Sequence, residues 1–171
     1  MTSLIERESV GYVRPSQAAR FCLCFNHPEI TAFSPQDAHR TQPGGKPLEL
    51  RMEGERGLVV DAPESAVNVA LGNLIGNAVK YTTSGEVIVR LLPQAKAVEV
   101  IDSGPGLSAE DAARLFERGY RGTHAEHSQG GGIGLSIVRR LCALYNWQVR
   151  VVPGEERGVI ATLTFSAPRE A

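Results

Sequence analysis

The 171-residue chain lacks any apolar run long enough to cross a bilayer as a helix, and its start, MTSLIERESV, interrupts every hydrophobic pair with charge. That excludes a secretory leader or a spanning helix from the reading of these residues. An excess of one charge is lacking too: 18 Lys and Arg against 19 Asp and Glu leave a net −1. A nucleic-acid binder usually carries a basic footprint, so an anionic ligand here must be held by a local arrangement. Cysteine is scarce and odd in number, Cys22, Cys24 and Cys142. A Cys-x-Cys pair with no second Cys or His cluster is a poor metal framework, and reduced core thiols of a cytosolic protein are expected. What is present, 42% hydrophobic and 22% charged residues, suits one domain with one core.

Pro15 with Phe21, Cys22 and Phe25 suggests a helix over residues 15 to 26, and the turn-rich stretch 33 to 47 a loop. PLELRMEG and RGLVVDA read as short strands around the turn from Gly54 to Gly57. Asp61, Pro63 and Glu64 form a helix-start signal, with Asp61 as the capping acceptor and Glu64 reciprocal, and the helix is expected to run to about Tyr81. EVIVRLLP and the stretch from Lys96 to Ile101 follow as antiparallel strands. Ser108 with Asp111 opens a short helix through Phe116, and the polar, glycine-rich residues 117 to 132 read as a mobile loop. Ile133, Ile137, Leu141 and Leu144 recur at helical spacing, and a hairpin around Gly154 to Gly158 closes the chain.

The long helix poses a question, because Asn in a helix interior competes with the backbone for hydrogen bonds. Asn73, Asn77, Lys80 and Tyr81 share one flank beside the apolar stripe Val67, Leu71, Leu74 and Ala78. An amide oxygen is a neutral hard ligand suited to Mg²⁺, an ammonium suits phosphate, and a Tyr ring can lie against a flat base. Read alone, the flank is better taken as a solvated helix face, and it is the next motif that changes the balance. Asp102-Ser103-Gly104-Pro105-Gly106 then puts a carboxylate at a strand end, able to accept from an exocyclic amine, with glycines that let backbone approach a ligand. Gly130 to Leu135 is a glycine run entering a helix, where free N–H groups favour anions. It lacks the preceding strand that a dinucleotide fingerprint needs. Arg118 and Arg121 lie between, near the anchor Phe116. His124 and His127, in a polar loop without a third ligand, are expected to be solvated rather than zinc-bound.

In order, Asn73-x-x-x-Asn77-Ala-x-Lys80-Tyr81-Thr82, Asp102-x-Gly104-x-Gly106, Phe116-Glu117-Arg118 and Gly130-x-Gly132-x-Gly134-Leu135 resemble the N, G1, F and G2 boxes of the catalytic ATP-binding domain of sensor histidine kinases. That family belongs to the group that includes DNA gyrase, heat-shock chaperone and mismatch-repair ATPases. The resemblance spans roughly residues 47 to 166 and reaches back to about residue 12. It implies a two-layer α/β sandwich, a mixed sheet covered on one face by helices, with residues 1–11 a leader or remnant helix, 12–168 the domain and 169–171 a tail. It also implies that Asn77 coordinates Mg²⁺, that Asn73, Lys80 and Arg121 meet the phosphates of ATP, and that Tyr81 lies beside the adenine. Asp102 would accept from the adenine amine, Gly104 and Gly106 would shape the base pocket, and Gly130, Gly132, Gly134 and Leu135 the phosphate end.

Hydrolytic members of the group carry a water-activating glutamate at the position of Asn73, so slow hydrolysis is implied. The γ-phosphoryl would pass to a histidine on a helical dimerisation domain, and from there to a response-regulator aspartate; nucleic acid and direct membrane contact are not implied. Gly119 and Ser103 depart from the usual boxes, and none of His27, His39, His124 and His127 has the flanking residues of a phospho-acceptor. A serine kinase or slow ATPase of the same group, or a degenerate interaction module, are the alternatives.

Overall fold

The structure, a computed structural model, describes residues 20–23, 48–55, 57–117 and 133–165. In chain order the elements are β1 (Arg20–Leu23), β2 (Leu48–Gly54), β3 (Leu58–Asp61), α1 (Glu64–Tyr81), β4 (Gly85–Leu92), β5 (Ala97–Asp102), α2 (Ala109–Arg114), α3 (Gly134–Tyr145), β6 (Gln148–Pro153) and β7 (Val159–Thr164). Five strands form a mixed sheet in the order β2-β4-β5-β7-β6, and β1 pairs with β3 separately. β2 runs parallel to β4, and every other pair is antiparallel.

Period-two alternation divides the sheet into two faces. Val87, Val89 and Leu91 of β4, Val98 and Val100 of β5, and Leu163 of β7 turn inward and are buried. Against them pack Val67, Leu71, Leu74, Ile75 and Ala78 of α1 and Val138 and Cys142 of α3, so the expected apolar stripe of α1 is the core side. The opposite face carries a charge row set by the register, where Arg90 reaches Glu53 at 3.1 Å and Glu99 at 3.4 Å on its two neighbouring strands. These half-exposed pairs favour the register more than the stability. The result is the two-layer α/β sandwich implied by the four boxes.

Two local expectations change, at β1 and at the start of α1, and two further features go beyond the sequence-based expectations. Residues Arg20–Leu23 are a strand rather than part of a helix, pairing from Arg20 opposite Asp61 to Leu23 opposite Leu58. Four residues carry no period that separates helix from strand, and the open edge of β3 satisfies the backbone here; Phe25 lies outside the described residues. Although β2 and β3 flank the Gly54–Gly57 turn as expected, they enter different sheets and do not pair. The N-cap of α1 is Pro63, with no side-chain cap, because Asp61 still belongs to β3. Ile133, Ile137 and Leu144 are exposed, and α3 instead buries Val138 and Cys142 with Leu135, Leu141 and Tyr145 packed alongside.

Elsewhere the signals match. Ser108 caps α2, its Oγ accepting from Asp111 N at 3.0 Å, although the helix ends at Arg114 rather than Phe116. α3 stops at Asn146 in the left-handed region (φ 57), after which Trp147 stacks on Tyr145 and meets Phe165 edge-on, each at 5.0 Å between centroids. Burial pushes the Cys142 thiol up to about 11, so it is a core thiol as expected. No helix among the described residues is long and apolar enough to cross a membrane. Leu71, fully buried, is expected to cost about 2–5 kcal/mol when replaced by Ala. In urea titrations the exposed Leu144→Ala should fall within about 0.5 kcal/mol of the parent.

Candidate nucleotide-binding site

Alternation along β5 decides where its last residue points. Val98 and Val100 face the core, so Asp102, two further on, turns to the same side, where the strand ends and the helical layer begins. Its ladder neighbours are Val87 and Val159, neither of which offers a polar side chain. Gly104 N donates to Asp102 Oδ1 at 2.9 Å. Burial pushes the Asp102 carboxyl above the usual carboxylate range, while the N–H groups of Gly104 and Val159 and the hydroxyl of Thr82 draw it back down. The carboxylate is thus held from several sides yet remains half-buried, with acceptor capacity for a donor arriving from outside.

Gly104 brings the end of α1 into this corner. A Cβ there would stand 2.9 Å from Asp102 Oδ1, 3.1 Å from Tyr81 O and 3.3 Å from Thr82 Oγ1, so three oxygens converge on one glycine. Gly106 has a φ of +86°, which its Gly identity permits, and it approaches Gly158, itself at +75° and so close to Asp102 O that any side chain would collide. Gly158 therefore belongs to the corner around Asp102, although in the sequence it reads only as a hairpin glycine. Val159 is equally silent there, and Thr82 closes the first box without any sign of its tie to Asp102, which comes only from closeness in space.

The other end of the flank meets α3. Asn73 Nδ2 donates back to Val69 O at 2.7 Å, which fixes Oδ1 toward the next helix. A Cβ on Gly134, the first residue of α3, would lie 2.6 Å from that oxygen, so a side chain there would displace the Asn73 amide from its place between the two helices. Asn77 and Lys80 are half-buried on the same flank, and Lys80 Nζ sits 5.3 Å from the centre of the Tyr81 ring. Leu135 packs against the core beside them. Arg121, Gly130 and Gly132, together with Arg118, His124 and His127, lie outside the described residues.

Among the described residues no three His, Cys, Asp or Glu side chains gather as a metal centre. A cation at this flank would rest on the Asn77 amide oxygen and on oxygens brought by a ligand, a donor set that suits Mg²⁺ rather than zinc. Two features fit a nucleotide: the Gly134 cradle against Asn73, and a buried hydroxyl at Thr82 with no partner of good geometry beside the carboxylate.

The displaced carboxyl has a measurable consequence. Folded Asp102 holds its proton more tightly than the unfolded group near 3.8, so the folded state binds more protons and the residue's contribution to stability falls as pH rises through that value. Asp102→Asn should therefore gain stability relative to the parent between pH 3.8 and neutrality, measured by urea titration at both ends. A pH-independent difference would contradict the burial.

Residues 63–169 match the family model described as "Histidine kinase-, DNA gyrase B-, and HSP90-like ATPase". The swarming motility regulation sensor protein RssA of Serratia marcescens is 37% identical over 119 residues, covering 67% of this chain and 25% of that protein. The sensor histidine kinase Hik2 of Thermosynechococcus vestitus is 36% identical over 151 residues, covering 71% of this chain and 39% of that protein. Among solved structures, the mycobacterial sensor histidine kinase MprB superposes with a TM-score of 0.59 at 26% identity, covering 68% of this chain and 81% of that one. The match thus spans between 25% and 39% of those two curated relatives. With its mixed sheet and the family match over residues 63–169, this chain belongs to the histidine kinase-, DNA gyrase B- and HSP90-like ATPase family, as an ATP-binding catalytic domain of the sensor histidine kinase kind.

Proposed function

We propose that the chain binds Mg²⁺-ATP between α1 and the start of α3 and delivers the γ-phosphoryl to a histidine on a helical dimerisation domain of its parent kinase. The observation that carries the reading is that one helix touches both ends of the candidate site. Its last turn meets Asp102 and Gly104, and its middle meets Gly134 through Asn73. On this reading Asp102 accepts from the adenine amine, the Tyr81 ring lies beside the base, and Gly104 and Gly106 shape the pocket. Lys80 supplies a point charge to the phosphates, the N-terminus of α3 adds N–H donors, and Arg121 is a further phosphate contact. Asn77 would hold Mg²⁺, which when bound neutralises phosphate charge.

Asn73 bears on the type of reaction. Its amide has no basic lone pair, and its Nδ2 is committed to Val69 O, so it activates no water. Slow hydrolysis keeps the γ-phosphoryl available for transfer, which in phosphoryl chemistry depends on positioning and electrostatics. The receiving histidine would pass its phosphoryl to a response-regulator aspartate, as part of two-component signalling. The domain would work in the cytoplasm, whether or not its parent is anchored in a membrane.

Calorimetric titration tests this directly. ATP should bind more tightly with Mg²⁺ than without, and Asn77→Ala should lose that difference. Asp102→Asn should weaken ATP by about ten-fold or more with or without the metal, as loss of a hydrogen bond to a charged acceptor implies. Mixed with the parent's dimerisation domain, the chain should yield an acid-labile phosphohistidine; failure of the unmutated chain to bind ATP, or an acid-stable phosphoserine, would overturn the reading.

A further inference from the structure

The orphan hydroxyl at the end of α1 is the least expected feature of the molecule. Thr82 is 3% exposed, its Oγ1 is shielded from solvent, and it forms no hydrogen bond of acceptable geometry. Such a group costs the free protein stability, and a valine of the same shape would not. The Thr82 backbone already has its own task, donating from N to Ala78 O at 3.1 Å to close the helix, and that task needs no hydroxyl. The polar group nearest to it is the Asp102 carboxylate, which it influences without reaching the geometry of a hydrogen bond.

Its surroundings name the use. Thr82 Oγ1 and Asp102 Oδ1 lie 3.3 Å and 2.9 Å from one point above Gly104, so the hydroxyl and the carboxylate face the same small volume. The hydroxyl is too enclosed to touch a ligand itself, and the polar group it can reach is the carboxylate. Across the β5–β7 ladder Asp102 faces Val159, which supplies an N–H and an apolar side chain, so no second hydroxyl comes from that strand.

We propose that Thr82 is a positioning residue for base recognition: its hydroxyl donates to Asp102 when a nucleotide is bound and fixes the carboxylate to accept from the exocyclic amine of a 6-aminopurine. The inference rests on the ATP-site reading above. Chemically, the carboxylate has about four lone-pair positions. Gly104 N–H, Val159 N–H and Thr82 O–H occupy three of them, leaving one for a donor from the base. The geometry thus selects a ligand that presents an amine, and it disfavours a purine with an oxo group at that position, whose oxygen would meet a carboxylate.

Titration of ATP and of purine riboside triphosphate, which lacks the 6-amino group, into the parent, Thr82→Val and Thr82→Ser separates recognition from structure. Thr82→Val is expected to bind ATP about ten-fold more weakly, the scale of one hydrogen bond to a charged group. The same variant should bind purine riboside triphosphate as the parent does, while the thermal midpoint of the nucleotide-free protein stays equal or rises. Thr82→Ser should restore ATP affinity. An equal loss for both nucleotides, an unchanged ATP affinity, or a Thr82→Val protein that no longer folds would each overturn the role of Thr82 while leaving the ATP site in place. A parent chain that binds neither nucleotide would instead overturn the ATP reading itself.

Discussion

The site depends on one carboxylate held at the boundary between a sheet and its helices. Asp102 has the same strand parity as Val98 and Val100, so the register that builds the core also drives a charged group toward it. Desolvating a carboxylate is costly, and the cost is offset by fixed donors: Gly104 N–H at 2.9 Å and Val159 N–H. Each donor constrains its own element. Gly104 must be bare because Tyr81 O and Thr82 Oγ1 share its space, and Gly158 must be bare because it presses on the backbone of Asp102 itself. Two turns far apart in sequence are therefore crowded against one residue, Gly104 at the side chain of Asp102 and Gly158 at its backbone.

α1 divides its circumference between two demands. Its apolar stripe, Val67, Leu71, Leu74 and Ala78, is buried against β4 and β5, and this packing holds the helix in place. Because the stripe is anchored, the adjoining flank is presented at a fixed angle, and Asn73 lies where Gly134 admits it. The same logic explains why the amphipathic signal of this helix is modest. A polar flank placed next to the core stripe, rather than opposite it, blurs the division between wet and dry faces.

Much of this could be read from the sequence, and the limits are physical. β4, β5, α3 and the last hairpin carry strong periods or glycine punctuation, α1 is announced by its start signal, and the four boxes keep their order and spacing regardless of tertiary contacts. Arg20–Leu23 is too short for a period to form, so its strand character comes from the free edge of β3, a partner that no local pattern reveals. The outward face of α3 misleads because Ile133, Ile137 and Leu144 are apolar but exposed, whereas the buried Val138 and Cys142 are the smaller residues. At the site, Asp102 and Gly104 lie within one motif and could be found together. Thr82, Val159 and Gly158 join them only through folding, since they come from a helix end, a different strand and a different turn.

The distance between the two ends of the proposed site is set by a helix. Nine residues separate Asn73 from Thr82, and at the helical rise that is about 13 Å of rigid backbone. A loop spanning the same distance would have to be ordered each time a ligand bound, at a cost in affinity. Here the base corner and the Gly134 cradle are positioned before any ligand arrives, because the hydrophobic stripe that folds the domain also fixes the spacing. Sequence change along the buried stripe would therefore alter recognition without touching a ligand, by tilting α1 and moving one end relative to the other. Ala70 and Ala78 are among the buried positions of the helix, so a larger side chain at either would have to displace α1 or its neighbours.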